Sequence, residues 1–217
     1  MRTLDLLVAA FALLQCARYA RGALLAVLPW VRVRGEAGGA PGSAPRLRAA
    51  AALEGLGFVP VGAVRERGPV GTFARDADAY ASAARGVFAD VLEGRTLDGP
   101  RVEFFTPFAD GAAVLTANAR LRAVVSARCQ LGGLPGAPLE AVLAAHEKAV
   151  ARFASLHGPP VVREAIDARV DAARAWYAGE GRRALRRAGL VPLVITLVAV
   201  ALLVSSVNIL LRNPAPR

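Results

Sequence analysis

An uncharged apolar segment near the C-terminus constrains this chain more than any other feature. Residues 188–211 contain no charged side chain over twenty-four positions, and four arginines precede them. A helix of about 20 apolar residues crosses the roughly 30 Å hydrocarbon core of a bilayer, and it satisfies its own backbone hydrogen bonds there. The segment therefore predicts a transmembrane helix over 190–211, followed by a short tail, 212–217.

Arginines flank this segment on both sides. Arg182, Arg183, Arg186 and Arg187 lie in a basic juxtamembrane segment, 181–189, and Arg212 follows the apolar run. Each arginine near a membrane surface is attracted to anionic head groups by about 1 kcal/mol. We therefore predict these five arginines as membrane-interface residues and the lipid bilayer as a partner. A role in marking topology alone explains them equally well.

The excess positive charge of the chain also lies beside its apolar segments. The formal net charge is +10, yet residues 35–180 carry sixteen basic and sixteen acidic side chains. The flanks, 1–34 and 181–217, carry eleven arginines and one acid, Asp5. A nucleic-acid-binding protein concentrates its basic residues on its folded domain. We therefore predict no nucleic-acid partner.

The N-terminal segment, 1–34, is apolar and membrane-associated, and three interpretations remain open. Residues 3–17 fit a signal-anchor helix, although fifteen helical residues reach only about 22 Å. They also fit a cleaved signal peptide, but no A-x-A cleavage motif follows. A helix lying in the membrane interface is the third interpretation, although Arg18 would share a face with Leu7 and Phe11.

The arginine placement predicts an orientation. Positive residues concentrate on the cytoplasmic side of membrane segments, and both apolar segments carry most of their arginines on the side of the middle region. Only a cleaved signal peptide reverses this orientation. One lysine stands against twenty-six arginines, and alanine and glycine are abundant, which is typical of a GC-rich bacterial genome. These patterns predict a bacterial inner-membrane protein with a cytoplasmic domain.

The middle of the chain predicts a domain of the α+β class over 46–180, after a Gly/Pro linker, 35–45. Apolar alternation and turn residues predict a small antiparallel β-meander of four to six strands with packed helices. Apolar residues at spacings of three and four predict the helices. The predicted strands are 58–67, 70–74, 79–88, 101–108, 112–117 and 121–126. The predicted helices are 46–56, 139–157 and 162–179.

The sequence contains few candidates for catalysis. His146 lies on the apolar stripe of its predicted helix, and His157 lies about 16 Å further along it, too far for joint metal ligation. Asp76-Ala77-Asp78 resembles a metal–nucleotide motif but fits a loop between strands. Cys16 and Cys129 form neither a disulfide framework nor a zinc site. We predict no cofactor, no metal ion and no catalytic residue.

Three functions follow from these patterns. The first is a non-enzymatic membrane-anchored protein whose domain binds a partner protein or ligand at the inner-membrane surface. The second is lipid or apolar-ligand handling by the strand that bears Phe104 and Phe105, which point to opposite faces. The third is an enzyme that uses His146. Phe104, Phe105 and His146 are therefore candidate ligand-facing residues.

Overall fold

The fold of the chain is α+β, with an eight-stranded, mostly antiparallel sheet. A computed structural model describes residues 2–38, 42–96 and 99–212. These residues form five α-helices: α1, Arg2–Val27; α2, Ala44–Gly55; α3, Leu139–His157; α4, Ile166–Ala178; and α5, Glu180–Arg212. The eight strands are β1, Arg32–Glu36; β2, Val59–Arg67; β3, Ala74–Ser82; β4, Val87–Thr96; β5, Gly99–Pro107; β6, Ala113–Ala117; β7, Val124–Ser126; and β8, Cys129–Gly133.

The sheet has the strand order β1-β2-β3-β4-β5-β6-β8-β7. The first six strands form an antiparallel meander, as predicted. The meander ends where β8 pairs with β6 in parallel, with Leu115 beside Leu131. β7 then pairs antiparallel with β8 at the edge of the sheet.

Helices cover both faces of the sheet. Phe104 packs with Leu53 of α2 and Val142 of α3. The next residue, Phe105, packs beside α4, with its ring centroid 6.3 Å from that of Trp176. Because successive strand residues point to opposite faces, α2 and α3 lie on one face and α4 on the other.

Several predicted elements are confirmed and others are wrong. The helix over 139–157 and the strands at 58–67, 101–108 and 112–117 are confirmed within one or two residues. The strand predicted at 70–74 is wrong, because a short 3₁₀ turn, Pro69–Gly71, occupies most of it. Residues 79–88 hold the turn between β3 and β4 instead of one strand. β1 and β8 were not predicted, because each is short and rich in glycine or charge.

The chain divides into two compact units. One contains residues 31–67 and 74–181, and we call it the sheet unit; the other contains 1–30, 68–73 and 182–217, and we call it the helical unit. In the helical unit, the turn between β2 and β3 contacts α1. Val70 in that turn adopts a left-handed conformation with φ 50°, ψ 36° and has 77% of its surface exposed.

Candidate functional site

Among the described residues, two helices, each lying mostly in the helical unit, are long and apolar enough to cross a membrane. They are Thr3–Val27 within α1 and Glu180–Ile209 within α5, with mean hydropathies of 1.3 and 2.7. Their large apolar side chains lie on the surface, including Phe11 at 58% and Leu197 at 60% exposure. Contiguous apolar surface of this extent is typical of a membrane-facing or protein-binding region.

The two helices approach each other closely at two levels. A Cβ on Gly22 would lie 3.1 Å from the Cβ of Pro192, and one on Gly189 would lie 2.3 Å from the backbone nitrogen of Ala26. Residue numbers rise along α1 while they fall along α5, so the helices run antiparallel. α1 and α5 therefore form an antiparallel helix pair, which we call the hairpin although residues 28–179 separate the two helices in the chain.

Small residues form the buried positions of this hairpin. Among the described residues of α1 and of α5 from 182 onward, those in the buried class are Ala12, Ala23, Gly189, Ala199 and Ser206. Gly189, Ala199 and Ser206 are ten and seven residues apart, which keeps them on one helical face at about 3.5 residues per turn. Small residues let helix backbones approach closely, as they do in membrane helix pairs.

The predicted interface arginines lie at the ends of the apolar part of α5. Arg182, Arg183, Arg186 and Arg187 are exposed in its first turns, and Arg212 is exposed at its last residue. Pro192 lies inside the helix and cannot donate a backbone hydrogen bond to the preceding turn. The helix therefore has basic residues near its N-terminus, an apolar middle and a basic residue at its C-terminus.

A buried ionic cluster lies between the sheet and α4 in the sheet unit. Arg75 on β3 donates to Glu66 at 3.0 Å, to Asp90 at 2.7 Å and to Glu103 at 2.5 Å. Arg169 on α4 donates from Nε to Asp90 Oδ1 at 3.0 Å, and its Nη2 also contacts Asp90. The three carboxylate side chains are at most 5% exposed. These ion pairs link the strands β2, β3, β4 and β5 to the helix α4.

Further contacts complete this cluster. The Tyr177 hydroxyl donates to Glu66 Oε2 at 2.8 Å, and Arg101 pairs with Glu103. The guanidinium carbon of Arg169 lies 5.2 Å from the ring centroid of Phe105. Nη1 of Arg169 is buried and has no hydrogen-bond partner among the described residues. The carboxylates of the cluster are therefore held by arginines, and we interpret the cluster as a structural bond between sheet and helix.

The electrostatics of Asp90 support this interpretation. Burial by itself raises the pKa of a carboxyl, but the charges of Arg169 and Arg75 outweigh burial, so the pKa of Asp90 is lowered. Burial also opposes the charged form of Arg169, yet the Asp90 charge holds the pKa of Arg169 above its usual value. Both groups therefore stay charged at neutral pH.

A surface groove lies where α2 meets β2 and β3. It has a volume of about 430 Å³ and is lined by Arg46, Leu47 and Ala50 of α2, together with Asp78 and Tyr80 of β3. Arg46 and Asp78 form an ion pair at 2.6 Å, and Nε of Arg46 is buried without a partner among the described residues. Burial, together with the negative charges of Asp78 and Glu54, raises the pKa of Tyr80, so its hydroxyl stays protonated. The groove therefore presents one ion pair and one phenol beside apolar side chains.

A backbone irregularity shapes the groove wall. The register of β2 against β3 shifts between Pro60 and Gly62, which is a β-bulge. Gly62 has φ 138°, and a Cβ there would lie 2.4 Å from the carbonyl oxygen of Glu36. Only glycine fits this position, because any side chain would clash with β1 where β1 pairs with β2 beside the groove.

His146 lies in the core as a neutral imidazole. It is 0% exposed, and burial lowers its pKa to about 3. The Thr106 hydroxyl donates to Gly86 O at 2.9 Å, so it accepts from His146 Nε2, also at 2.9 Å. Thr116 then donates to Nδ1 at 3.1 Å. Both ring nitrogens are thus occupied by threonines, which is typical of a structural histidine.

The other predicted ligand-facing residues are also in the core. Phe104 is 0% exposed and packs 5.9 Å from the His146 ring, while Phe105 is 4% exposed on the opposite face. The structure therefore brings Phe104 and His146 together and separates Phe105 from them. A ligand-facing role for the three remains a prediction.

The Asp-x-Asp motif lies on β3, where a loop was predicted. Asp76 pairs with Arg67 at 2.7 Å, and Asp78 pairs with Arg46. His157, the other histidine, contacts Asp110 at 2.9 Å. Within the described ranges, no group of three or more His, Cys, Asp and Glu side chains is arranged to hold a metal ion.

Sequence reasoning missed the ionic cluster, although a signal was present. Glu66, Asp90 and Glu103 each occupy a position that strand alternation assigns to a buried face. A charged residue inside an apolar strand is buried only when it is paired. Three such residues on β2, β4 and β5 indicate that buried arginines must neutralise them.

Comparison with known proteins gave no match: the chain matches no protein-family model, no curated protein and no solved structure.

Proposed function

We propose that this chain is a bacterial inner-membrane protein whose sheet unit lies in the cytoplasm and binds a partner protein or ligand at the membrane surface. The hairpin of α1 and α5 carries this proposal. Its outer surface is apolar, its inner positions are small, and both helices have arginines toward the ends that lead into the sheet unit. The positive-inside bias then favours a cytoplasmic sheet unit.

Membrane insertion and orientation are tested on the full chain in cells. Alkaline carbonate should leave the protein in the membrane pellet, since an integral hairpin resists extraction. An Arg120→Cys variant places a thiol on the exposed surface of the sheet unit. A membrane-impermeant maleimide should label it in lysed spheroplasts only, with the unmodified chain as the background control. Labelling in intact spheroplasts would place the sheet unit outside and overturn the orientation.

We further propose the groove beside α2 as the place where the sheet unit binds its partner or ligand. Its Arg46–Asp78 pair and the Tyr80 hydroxyl offer both donors and acceptors beside apolar contacts. Concave sites with a few convergent polar groups in an apolar lining are the usual setting for ligands. The ion pair leaves the groove nearly neutral, which favours a neutral polar group.

A photo-crosslinking pair tests the groove in native membranes. A photoreactive amino acid at Leu47, 60% exposed in the groove wall, should give crosslinks that Ala50→Trp abolishes by filling the groove. The same amino acid at Leu156, 77% exposed on α3, is the matched control. Identical crosslinks at both positions, or crosslinks unaffected by Ala50→Trp, would contradict binding at the groove.

A further inference from the structure

Two arginines of α1 lie beside the apolar part of α5. Gly22 contacts Pro192, so Arg21 lies about level with residue 193 and Arg18 about level with residue 196, given a rise of about 1.5 Å per residue. The uncharged run of α5 begins at residue 188. Arg21 and Arg18 therefore lie about 8 and 12 Å inside the level at which α5 becomes apolar.

Both arginines occupy one flank of α1 and are exposed. Residues three apart in a helix are neighbours, so their side chains leave the helix about one turn apart. The Arg18 guanidinium carbon lies 5.5 Å from the ring centroid of Tyr19. Tyr19 follows Arg18 and Gly22 follows Arg21, and both are less exposed than the arginines. Gly22 contacts α5. Arg18 and Arg21 thus lie one turn apart on the exposed surface of α1.

The helical unit offers these arginines no carboxylate nearby. Asp5 is the only acidic residue within 1–30, 68–73 and 182–217, and it lies about 20 Å from Arg18 along α1. An arginine beside hydrocarbon is costly unless it reaches the interface or pairs with an anion. No carboxylate among the described residues of the helical unit is therefore close enough to balance Arg18 and Arg21.

We propose that Arg18 and Arg21 bind the phosphate of an anionic phospholipid along the side of the hairpin, an inference that rests on the proposed membrane insertion. Arginine side chains beside hydrocarbon extend their charged ends toward the head groups, and a phosphate accepts paired hydrogen bonds from a guanidinium. The exposed arginines at the start of α5 attract anionic lipid to the same leaflet. Charge complementarity therefore favours a lipid phosphate as the occupant.

Spin-labelled lipids measure this binding in the full chain. The protein is reconstituted in phosphatidylcholine vesicles, and the immobilised fraction is compared for spin-labelled phosphatidylglycerol and phosphatidylcholine. We expect a preference for phosphatidylglycerol of about fivefold or more, corresponding to at least one productive arginine. Arg18→Gln with Arg21→Gln should lower the preference severalfold, to the residual level supplied by the arginines at the start of α5. Arg120→Gln with Arg122→Gln, which removes two exposed arginines from the sheet unit, should leave it unchanged.

The outcomes separate the possible occupants. An unchanged preference in the Arg18/Arg21 variant overturns the site, and so does equal loss in the control. Competition by millimolar inorganic phosphate would show a site for free anions and overturn the lipid assignment. A crosslinked protein that depends on Arg18 and Arg21, without lipid preference, would also overturn it in favour of an acidic partner helix. Extraction of the protein by carbonate would instead refute the proposed membrane insertion itself.

Discussion

Arg169 of α4 and Asp90 of β4 form an ion pair withdrawn from water, with Arg169 at 3% and Asp90 at 1% side-chain exposure. Nε of Arg169 donates to Oδ1 of Asp90 at 3.0 Å, and Arg75 reaches the other carboxylate oxygen at 2.7 Å. A buried pair contributes little net stability relative to apolar residues, but removing one partner leaves an uncompensated buried charge. The packing of α4 on the sheet therefore depends on both partners.

Replacement of Arg169 should destabilise the sheet unit strongly. We expect Arg169→Met to lower the free energy of unfolding by about 3–5 kcal/mol, because Asp90 would lose one of its two arginines in the core. Arg174→Met is the matched control on the same helix, since Arg174 pairs with Asp171 at more than 60% exposure. The control should cost less than about 1 kcal/mol. Urea unfolding of the full chain in detergent measures both, and equal costs would contradict a structural role for the cluster.

Burial of His146 should make stability depend on pH. The folded chain keeps its imidazole neutral, with a pKa of about 3, while an unfolded chain has a histidine pKa of about 6.5. The unfolded state thus binds one more proton below pH 6.5, so this contribution is present above that pH and is lost as pH falls toward 3. At pH 5.5 the loss should be about 1.4 kcal/mol relative to neutral pH.

Two variants identify the histidine responsible. His146→Asn should remove the dependence of the urea midpoint between pH 7.5 and 5.5, although it lowers stability at both values. His157→Gln should retain that dependence, because the buried imidazole of His146 is unchanged in this variant. A dependence that survives in His146→Asn would show that another group titrates.

Close packing of the hairpin depends on Gly189. A Cβ at this position would lie 2.3 Å from the Ala26 backbone nitrogen, so a larger residue must push the helices apart. A cysteine pair, Gly22→Cys with Pro192→Cys, should form a disulfide in membranes under mild oxidation, since the two positions are in contact. Gly189→Leu should abolish this crosslink on a non-reducing gel. Val191→Leu, at a position 66% exposed, should retain it. Crosslinking that persists in Gly189→Leu would contradict the dependence of the packing on Gly189, and a cysteine pair that forms no disulfide would contradict the antiparallel contact.

The sequence predicted the local elements better than the long-range contacts. The long apolar helix α5, the helix α3 and the strands β5 and β6 follow from apolar periodicity and turn chemistry, which are local. The parallel pairing of β6 with β8 and the edge strand β1 depend on partners distant in sequence. The ionic cluster could be anticipated from Glu66, Asp90 and Glu103 at inward strand positions, but its arginines could not be assigned before the topology was known. The shape of the groove depends on the β-bulge at Gly62, and the only sign of this bulge in the sequence is the glycine itself.

The turn between β2 and β3 stores backbone strain at Val70. A β-branched residue with φ 50° lies in the left-handed region, which costs about 1–3 kcal/mol for a residue other than glycine. Val70 is 77% exposed, so little packing is lost when its side chain is removed. Val70→Gly should therefore raise the free energy of unfolding by about 1 kcal/mol. Val125→Gly is the matched control, since Val125 is 79% exposed on strand β7, and there glycine should lower stability by about 0.5–1 kcal/mol. Urea unfolding of both variants decides the point: a loss of stability in Val70→Gly similar to that in Val125→Gly would show that the turn is not strained.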